Sequence, residues 1–152
     1  MQWVTGNIWQ FHSIGRVIVI PTNAGWKNSG ENVMGRGLAR DAAQMFPELP
    51  IIYGAFCQAY QPHQYFKEYR LICVPSKGLN KKKPQLSWKQ PSDIFIITES
   101  LMWLEEHANE FSNTSVYVPV LGTGNGELER EPVVELMNEL LKNPKFIGVL
   151  KD

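Results

Sequence analysis

The chain has 152 residues, enough for one domain with a sizeable core. Its 15 basic and 15 acidic residues cancel, so no global positive field holds nucleic acid and only a local patch could do so. The cysteine content, Cys57 and Cys73 alone, excludes a disulfide framework and a four-cysteine zinc site. Both cysteines sit among apolar or aromatic neighbours and read as buried free thiols rather than nucleophiles. The N-terminus lacks the basic and apolar regions of a signal peptide, and no apolar run approaches a membrane span. A reducing cytoplasm and no membrane partner are therefore expected.

In chain order, Gln2 to Val4 is a short strand candidate that ends at Thr5-Gly6. Arg16 to Ile20 reads as a buried strand, being short, β-branched and without helical period. Gly37 to Phe46 reads as a helix with Leu38, Ala42 and Met45 on one face and Pro47 as its stop. Glu48 to Tyr60 reads as a second, less regular helix. Tyr69 to Val74 is a strand ending at Pro75. Residues 76–90 form a polar loop in which Lys81, Lys82 and Lys83 are consecutive, a pattern that fits a solvated loop better than a specific anion site.

Pro91 suits the first turn of a helix, and Ile94, Ile97, Leu101, Leu104 and Ala108 carry its apolar stripe to about Phe111. Ser115 to Leu121 is another strand. Pro132 opens a last helix with Val133, Met137, Leu140 and Leu141 inward, and Phe146 to Leu150 closes the chain as a strand. Strands alternating with helices imply a three-layer α/β/α sandwich around a mixed, mainly parallel sheet. No repeat or linker divides residues 1–152, so one domain is expected. In such sheets ligands bind beyond the carboxyl ends of the strands.

Two glycine loops fall at that edge. The first, Met34-Gly35-Arg36-Gly37, follows the strand Val17–Ile20 and opens a helix. Missing side chains there let phosphate oxygens approach backbone N–H groups at the positive end of a helix dipole, although a tight turn has the same composition. The second, Gly122-Thr123-Gly124-Asn125-Gly126, follows a buried strand with no strand after it, so hairpin chemistry does not explain its glycines. Neither loop is a Walker A motif or a dinucleotide GxGxxG. Two short loops gripping a diphosphate from both sides point to a ribonucleotide diphosphate ligand.

These residues resemble a macro domain, the ADP-ribose-binding module. Thr5-Gly6-Asn7-Ile8 resembles its opening Gly-Asp-Ile signature, and Val19-Ile20-Pro21-Thr22-Asn23 resembles the strand ending in a ribose-loop asparagine. Val33-Met34-Gly35-Arg36-Gly37-Leu38-Ala39 is similar to loop one of the branch holding ADP-ribosyl-carboxylate hydrolases, DNA ADP-ribosyl glycohydrolases and ADP-ribose-1″-phosphate phosphatases. Val118 to Leu128 is similar to loop two. The matches run in the right order over nearly the whole chain.

The resemblance implies that Asn7, with Ile8, reads adenine, where the family usually has aspartate; the Asn7 carbonyl accepts the same bond without charge. It implies that Asn23 binds the distal ribose, and that Met34, Gly35, Arg36 and Gly37 wrap that ribose and its phosphate. Leu121, Gly122, Thr123, Gly124, Asn125 and Gly126 are implied to cradle the diphosphate. Lys77, just after a strand, is implied to act at C1″, either as nucleophile or by binding phosphate; Asn23 and Lys77 are the catalytic candidates. The carboxylate hydrolases carry an aspartate where Gly126 stands, whereas the DNA-directed enzymes have glycine there. The aromatic residue that stacks on adenine in many family members is replaced by Leu150 or Lys151. His12, His63 and His107 match no motif and read as surface or helix residues.

Three functions follow from this. The first is a hydrolase acting on an ADP-ribose 1″ linkage, a phosphate or an adduct to protein or nucleic acid, with no metal and no cofactor. The second is a non-catalytic reader of ADP-ribose. The third, a nucleic-acid-binding domain, rests on Lys81 to Lys83 and the aromatic residues.

Overall fold

A computed structural model describes residues 1–111, 113–124 and 128–151. Its sheet has six strands in the order β1-β6-β5-β2-β4-β3. The strands are β1 (Gln2–Thr5), β2 (Val17–Asn23), β3 (Gln64–Phe66), β4 (Leu71–Lys77), β5 (Val116–Pro119) and β6 (Phe146–Leu150). Every pairing is parallel except β3 with β4. The helices are α1 (Ile8–Ser13), α2 (Gly37–Met45), α3 (Leu49–Gln58), α4 (Ile94–Glu106) and α5 (Arg130–Leu140).

The two-residue period of the strands divides the core. Val17, Val19, Ile72, Val74, Val116 and Val118 face α4 and α5, where Ile97, Leu101, Leu104, Val133 and Met137 meet them. Ile18, Ile20, Leu71 and Cys73 face the other way, against Ile8 of α1, Ala39 and Ala42 of α2, and Leu49, Tyr53 and Cys57 of α3. Burial on both faces explains why β2 and β4 read as continuous apolar runs rather than alternating ones. The three-layer sandwich inferred from the sequence is the architecture observed.

Several boundaries differ from expectation for identifiable reasons. Strands β2 and β4 continue through Pro21 and Pro75 instead of stopping there. Helix α3 is regular, and α4 starts at Ile94 because the Asp93 side chain accepts from the Phe95 N–H at 2.8 Å as its N-cap. It ends at Glu106, and a separate 3₁₀ turn at Ala108–Glu110 leads to Phe111, so the buried Ala108 and Phe111 extend the apolar pattern beyond the helix. Helix α1 and strand β3 were not foreseen: six and three residues are too short to show a period.

Helix α3 fixes the loop between β2 and α2. The Asn32 N–H donates to Pro50 O at 2.9 Å. Gly54 lies against that loop so closely that a Cβ would overlap the Gly30 carbonyl oxygen and stand 2.7 Å from the Asn32 nitrogen. Gly54→Ala is therefore expected to destabilise the fold by about 3 kcal/mol, since backbone cannot yield as a side chain does. Thermal unfolding should show a melting temperature roughly 10 °C lower.

Candidate active site

The cleft begins where the sheet splits. Strand β2 pairs with β5 only at Val17 with Val116 and Ile18 with Tyr117, although β2 runs on to Asn23 and β5 to Pro119. Pro21 and Pro119 have no N–H to offer a ladder, so the strands part there. The gap opens at the carboxyl edge into a cavity of about 880 Å³, with Pro21, Thr22, Pro119 and Val120 in its lining. This volume lies within the range of small-molecule sites.

At the same edge three polar side chains come into register. Asn23 is the direct partner of Lys77 across β2 and β4, after a bulge that begins at Thr22. Such a bulge re-aims the residues beyond it. Lys77 in turn forms an isolated bridge with Ser92, and the Asp93 N–H donates to Ser76 O at 3.0 Å. Asn23, Lys77 and Ser92 all line the cavity. The Lys77 Nζ donates to Trp88 O at 3.1 Å.

Loop one is held from below by amide side chains. Asn23 Nδ2 donates to Val33 O at 2.9 Å, and its Oδ1 accepts from the Gly25 N–H at 3.0 Å. Asn32, fully buried, donates Nδ2 to Asn23 O at 3.0 Å, Asn23 Oδ1 at 3.1 Å and Gly25 O at 2.8 Å. One Nδ2 proton of Asn23 satisfies the loop, and the amide carries a second donor on a residue that lines the cavity. The loop ends at Gly35-Arg36-Gly37, where α2 starts with no side-chain cap at Arg36. Arg36 therefore offers the first-turn N–H groups no side-chain acceptor, and Gly37, Leu38 and Ala39 line the cavity. Gly37 has φ +55°, a conformation that favours glycine.

The lysine-rich loop forms another wall. Gly25 packs on it so tightly that a Cβ would overlap Pro84 O and the Ser87 side chain. A 3₁₀ turn at Pro84–Lys89 then sets Trp88 into the cavity lining. The Arg36 guanidinium lies 5.3 Å from the Trp88 ring centroid, joining loop one to this wall by a cation–π contact. Lys89 Nζ lies at the same 5.3 Å distance from that ring. Lys81, Lys82 and Lys83 are exposed and outside the cavity lining, as a solvated loop would have them.

Loop two supplies the opposing glycines. Gly122 has φ +75°, and a Cβ there would come 2.7 Å from Ile97 Cδ1 and 3.1 Å from Ser92 Cβ. Gly124 is different, because a Cβ there would meet nothing within 4 Å. Thr123 Oγ1 donates to Val120 O at 3.0 Å and the Leu128 N–H donates to Gly122 O at 3.2 Å, which ties the loop at both ends. Gly122, Thr123 and Gly124 line the cavity. Asn125 and Gly126 lie outside the described residues.

At the end of β1 Asn7 caps α1, its Oδ1 accepting from the Trp9 N–H at 3.0 Å. An amide oxygen has a second lone pair, so the cap leaves Asn7, which lines the cavity, one further acceptor site. Ile8 and Trp9 line the same end together with Val149 and Lys151. The Trp9 indole N–H donates to Asp41 Oδ2 at 3.1 Å.

Of the site residues inferred from sequence, Asn7, Ile8, Asn23, Gly35, Arg36, Gly37, Lys77, Gly122, Thr123 and Gly124 are brought to this one cavity. Met34 and Leu121 are not in its lining. Both are buried, Met34 in the core cluster that holds Ile8 and Ile20, Leu121 in the one that holds Ile97 and Leu101 of α4. Sequence reasoning missed Trp9, Asp41, Trp88, Ser92 and Arg130, all of which line the cavity. The indole following Asn7-Ile8 was the one available signal among them.

Both cysteines are buried free thiols: burial pushes the Cys57 thiol up to about 12, and burial raises Cys73 as well, which disfavours the thiolate. No histidine lines the cavity among the described residues; His12 is buried in α1, His63 stacks on Trp103, and His107 ends α4. Among the described residues, no group of three or more His, Cys, Asp or Glu is placed to hold a metal. No helix among them is long and apolar enough to cross a membrane.

The chain has the macrodomain fold. It superposes on the macrodomain of Thermus aquaticus DarG with a TM-score of 0.73 at 24% identity, covering 99% of this chain and 97% of that one. It matches Thermosipho africanus DarTG in complex with ADP-ribose with a TM-score of 0.74 at 22% identity, covering 100% of this chain and 42% of that one. The macrodomain of Mycobacterium tuberculosis DarG gives a TM-score of 0.64 at 23% identity, over 90% of this chain and 88% of that one. By sequence, the chain is 29% identical over 122 residues to a DNA ADP-ribosyl transferase–DNA ADP-ribosyl glycohydrolase fusion protein of Thermosipho africanus. That match takes in 69% of this chain but spans only 31% of the length of the curated relative. No family model matches the chain.

Proposed function

We propose that the cleft binds ADP-ribose and hydrolyses a linkage at its C1″ carbon, with an ADP-ribosyl group on DNA as the substrate class. One observation carries the reading: two glycine loops and an uncapped helix N-terminus flank a single cavity in which Asn23 and Lys77 stand side by side. The DNA assignment draws on the name of the fusion relative, and the ligand on the ADP-ribose complex of a structural neighbour.

In this reading Asn7, Ile8 and Trp9 hold the adenine end. The diphosphate lies between the start of α2 and Gly122–Gly124, where backbone N–H groups replace its hydration. The distal ribose reaches Asn23 and Lys77. Water attacks C1″, the bond from C1″ to the DNA base breaks with its electron pair on the base, and a proton follows to the base. Free ADP-ribose leaves with a hydroxyl at C1″. Lys77, anchored through Trp88 O, supplies a donor beside the breaking bond.

A reader without turnover is the second reading. It is favoured by the single carboxylate in the cavity lining among the described residues, Asp41, which is held by the Trp9 indole. Incubation with single-stranded DNA carrying ADP-ribosylated thymidine, ADP-ribosylated glutamate peptide and ADP-ribose-1″-phosphate separates the readings. Release of ADP-ribose from the DNA first and fastest is the expected result. Binding of ADP-ribose with no release from any of the three leaves the reader.

A further inference from the structure

We propose that Ser92 is a ligand contact of the cleft, its hydroxyl binding the distal-ribose end of the ligand. The inference rests on the reading of the cavity as an ADP-ribose site and extends it to a residue that no motif marks. Ser92 is 7% exposed and lines the cavity, yet its Oγ finds no hydrogen-bond partner among the described residues. A buried hydroxyl without a partner is a cost that native folds rarely carry, and such groups mark places where a partner is supplied from outside.

The position is specific. Ser92 bridges Lys77, which is itself the cross-strand partner of Asn23, so the three stand in a row along the carboxyl edge. On its other side Ser92 abuts Gly122, where a Cβ would come within 3.2 Å of its Oγ. A group contacting both Lys77 and the first glycine of loop two therefore meets Ser92. The next residue, Asp93, is already committed as the N-cap of α4, whereas Ser92 plays no capping part. Its hydroxyl turns about one torsion between staggered wells, on a side chain that is part of the cavity lining. Both a donor and acceptors are then available to a ribose hydroxyl.

Calorimetric titration of wild type and Ser92→Ala with ADP-ribose and with ADP, which lacks the distal ribose, tests this. Ser92→Ala should bind ADP-ribose about 5- to 10-fold more weakly, the loss of one hydrogen bond, and bind ADP as wild type does. It should melt no lower than wild type, because no intramolecular bond is lost. Ser92→Cys, which keeps the size but offers only a weak S–H donor, should repeat the pattern. Unchanged ADP-ribose affinity in both variants overturns the proposal, and so does equal weakening of both ligands. Failure of the wild type to bind ADP-ribose overturns the reading of the cleft instead, and is seen before any variant is made.

Discussion

Gly124→Val should weaken ADP-ribose binding at least about 100-fold while leaving the melting temperature of the free protein unchanged. The two halves of this expectation come from one observation. A Cβ at Gly124 meets nothing within 4 Å, so the free protein has room for the added side chain. The space it enters is the cavity that Gly124 lines, where backbone must approach the diphosphate closely. Gly122→Val makes the contrast, because its Cβ would come 2.7 Å from Ile97 Cδ1 at a residue with φ +75°. That variant should lose stability as well as binding, by about 1–3 kcal/mol. Calorimetry for affinity and thermal unfolding for stability check both. Undiminished affinity in Gly124→Val would remove loop two from the site.

Lys77→Ala should lower turnover of ADP-ribosylated DNA by about 10² or more while changing ADP-ribose affinity less than about tenfold. Lys77 stands beside Asn23 at the end of the cavity that the reading assigns to C1″. Free ADP-ribose has no bond there to break, so a group acting on that bond contributes mainly to the transition state. The hydrogen bond from Lys77 Nζ to Trp88 O is also lost, and the modest change in affinity allows for movement of the Trp88 wall. Single-turnover release from labelled DNA gives the rate, and titration gives the affinity. A large fall in affinity with the rate at saturation preserved would make Lys77 a phosphate contact.

Much of this was legible in the sequence because it is local. The β-branched runs at Val17–Ile20 and Leu71–Val74 stand out since both faces of their strands are buried. The glycine loops stand out since close backbone approach demands glycine at fixed points in the chain. What the sequence hid depends on partners distant in the chain. Pro21 and Pro75 look like strand ends, yet the strands continue because Pro21 lies where β2 and β5 have parted and Pro75 lies at the bulge. Trp88 sits in a polar, lysine-rich stretch, and contacts distant in the chain, Gly25 packed on Ser87 and Arg36 on the Trp88 ring, turn that stretch into a wall of the cleft. Ser92 is an ordinary serine before a helix until its bridge to Lys77 is seen. Asn32 carries no motif, yet it fastens loop one through Asn23 and Gly25.

A crystal structure of the protein with ADP-ribose shows where the ligand lies and which groups reach C1″. Adenine should lie beside Asn7 and Trp9, the diphosphate between the N-terminus of α2 and Gly122–Gly124, and C1″ within hydrogen-bond reach of Lys77. ADP-ribose seated outside this cavity, or lying in it with C1″ at the Asn7 end, would contradict it.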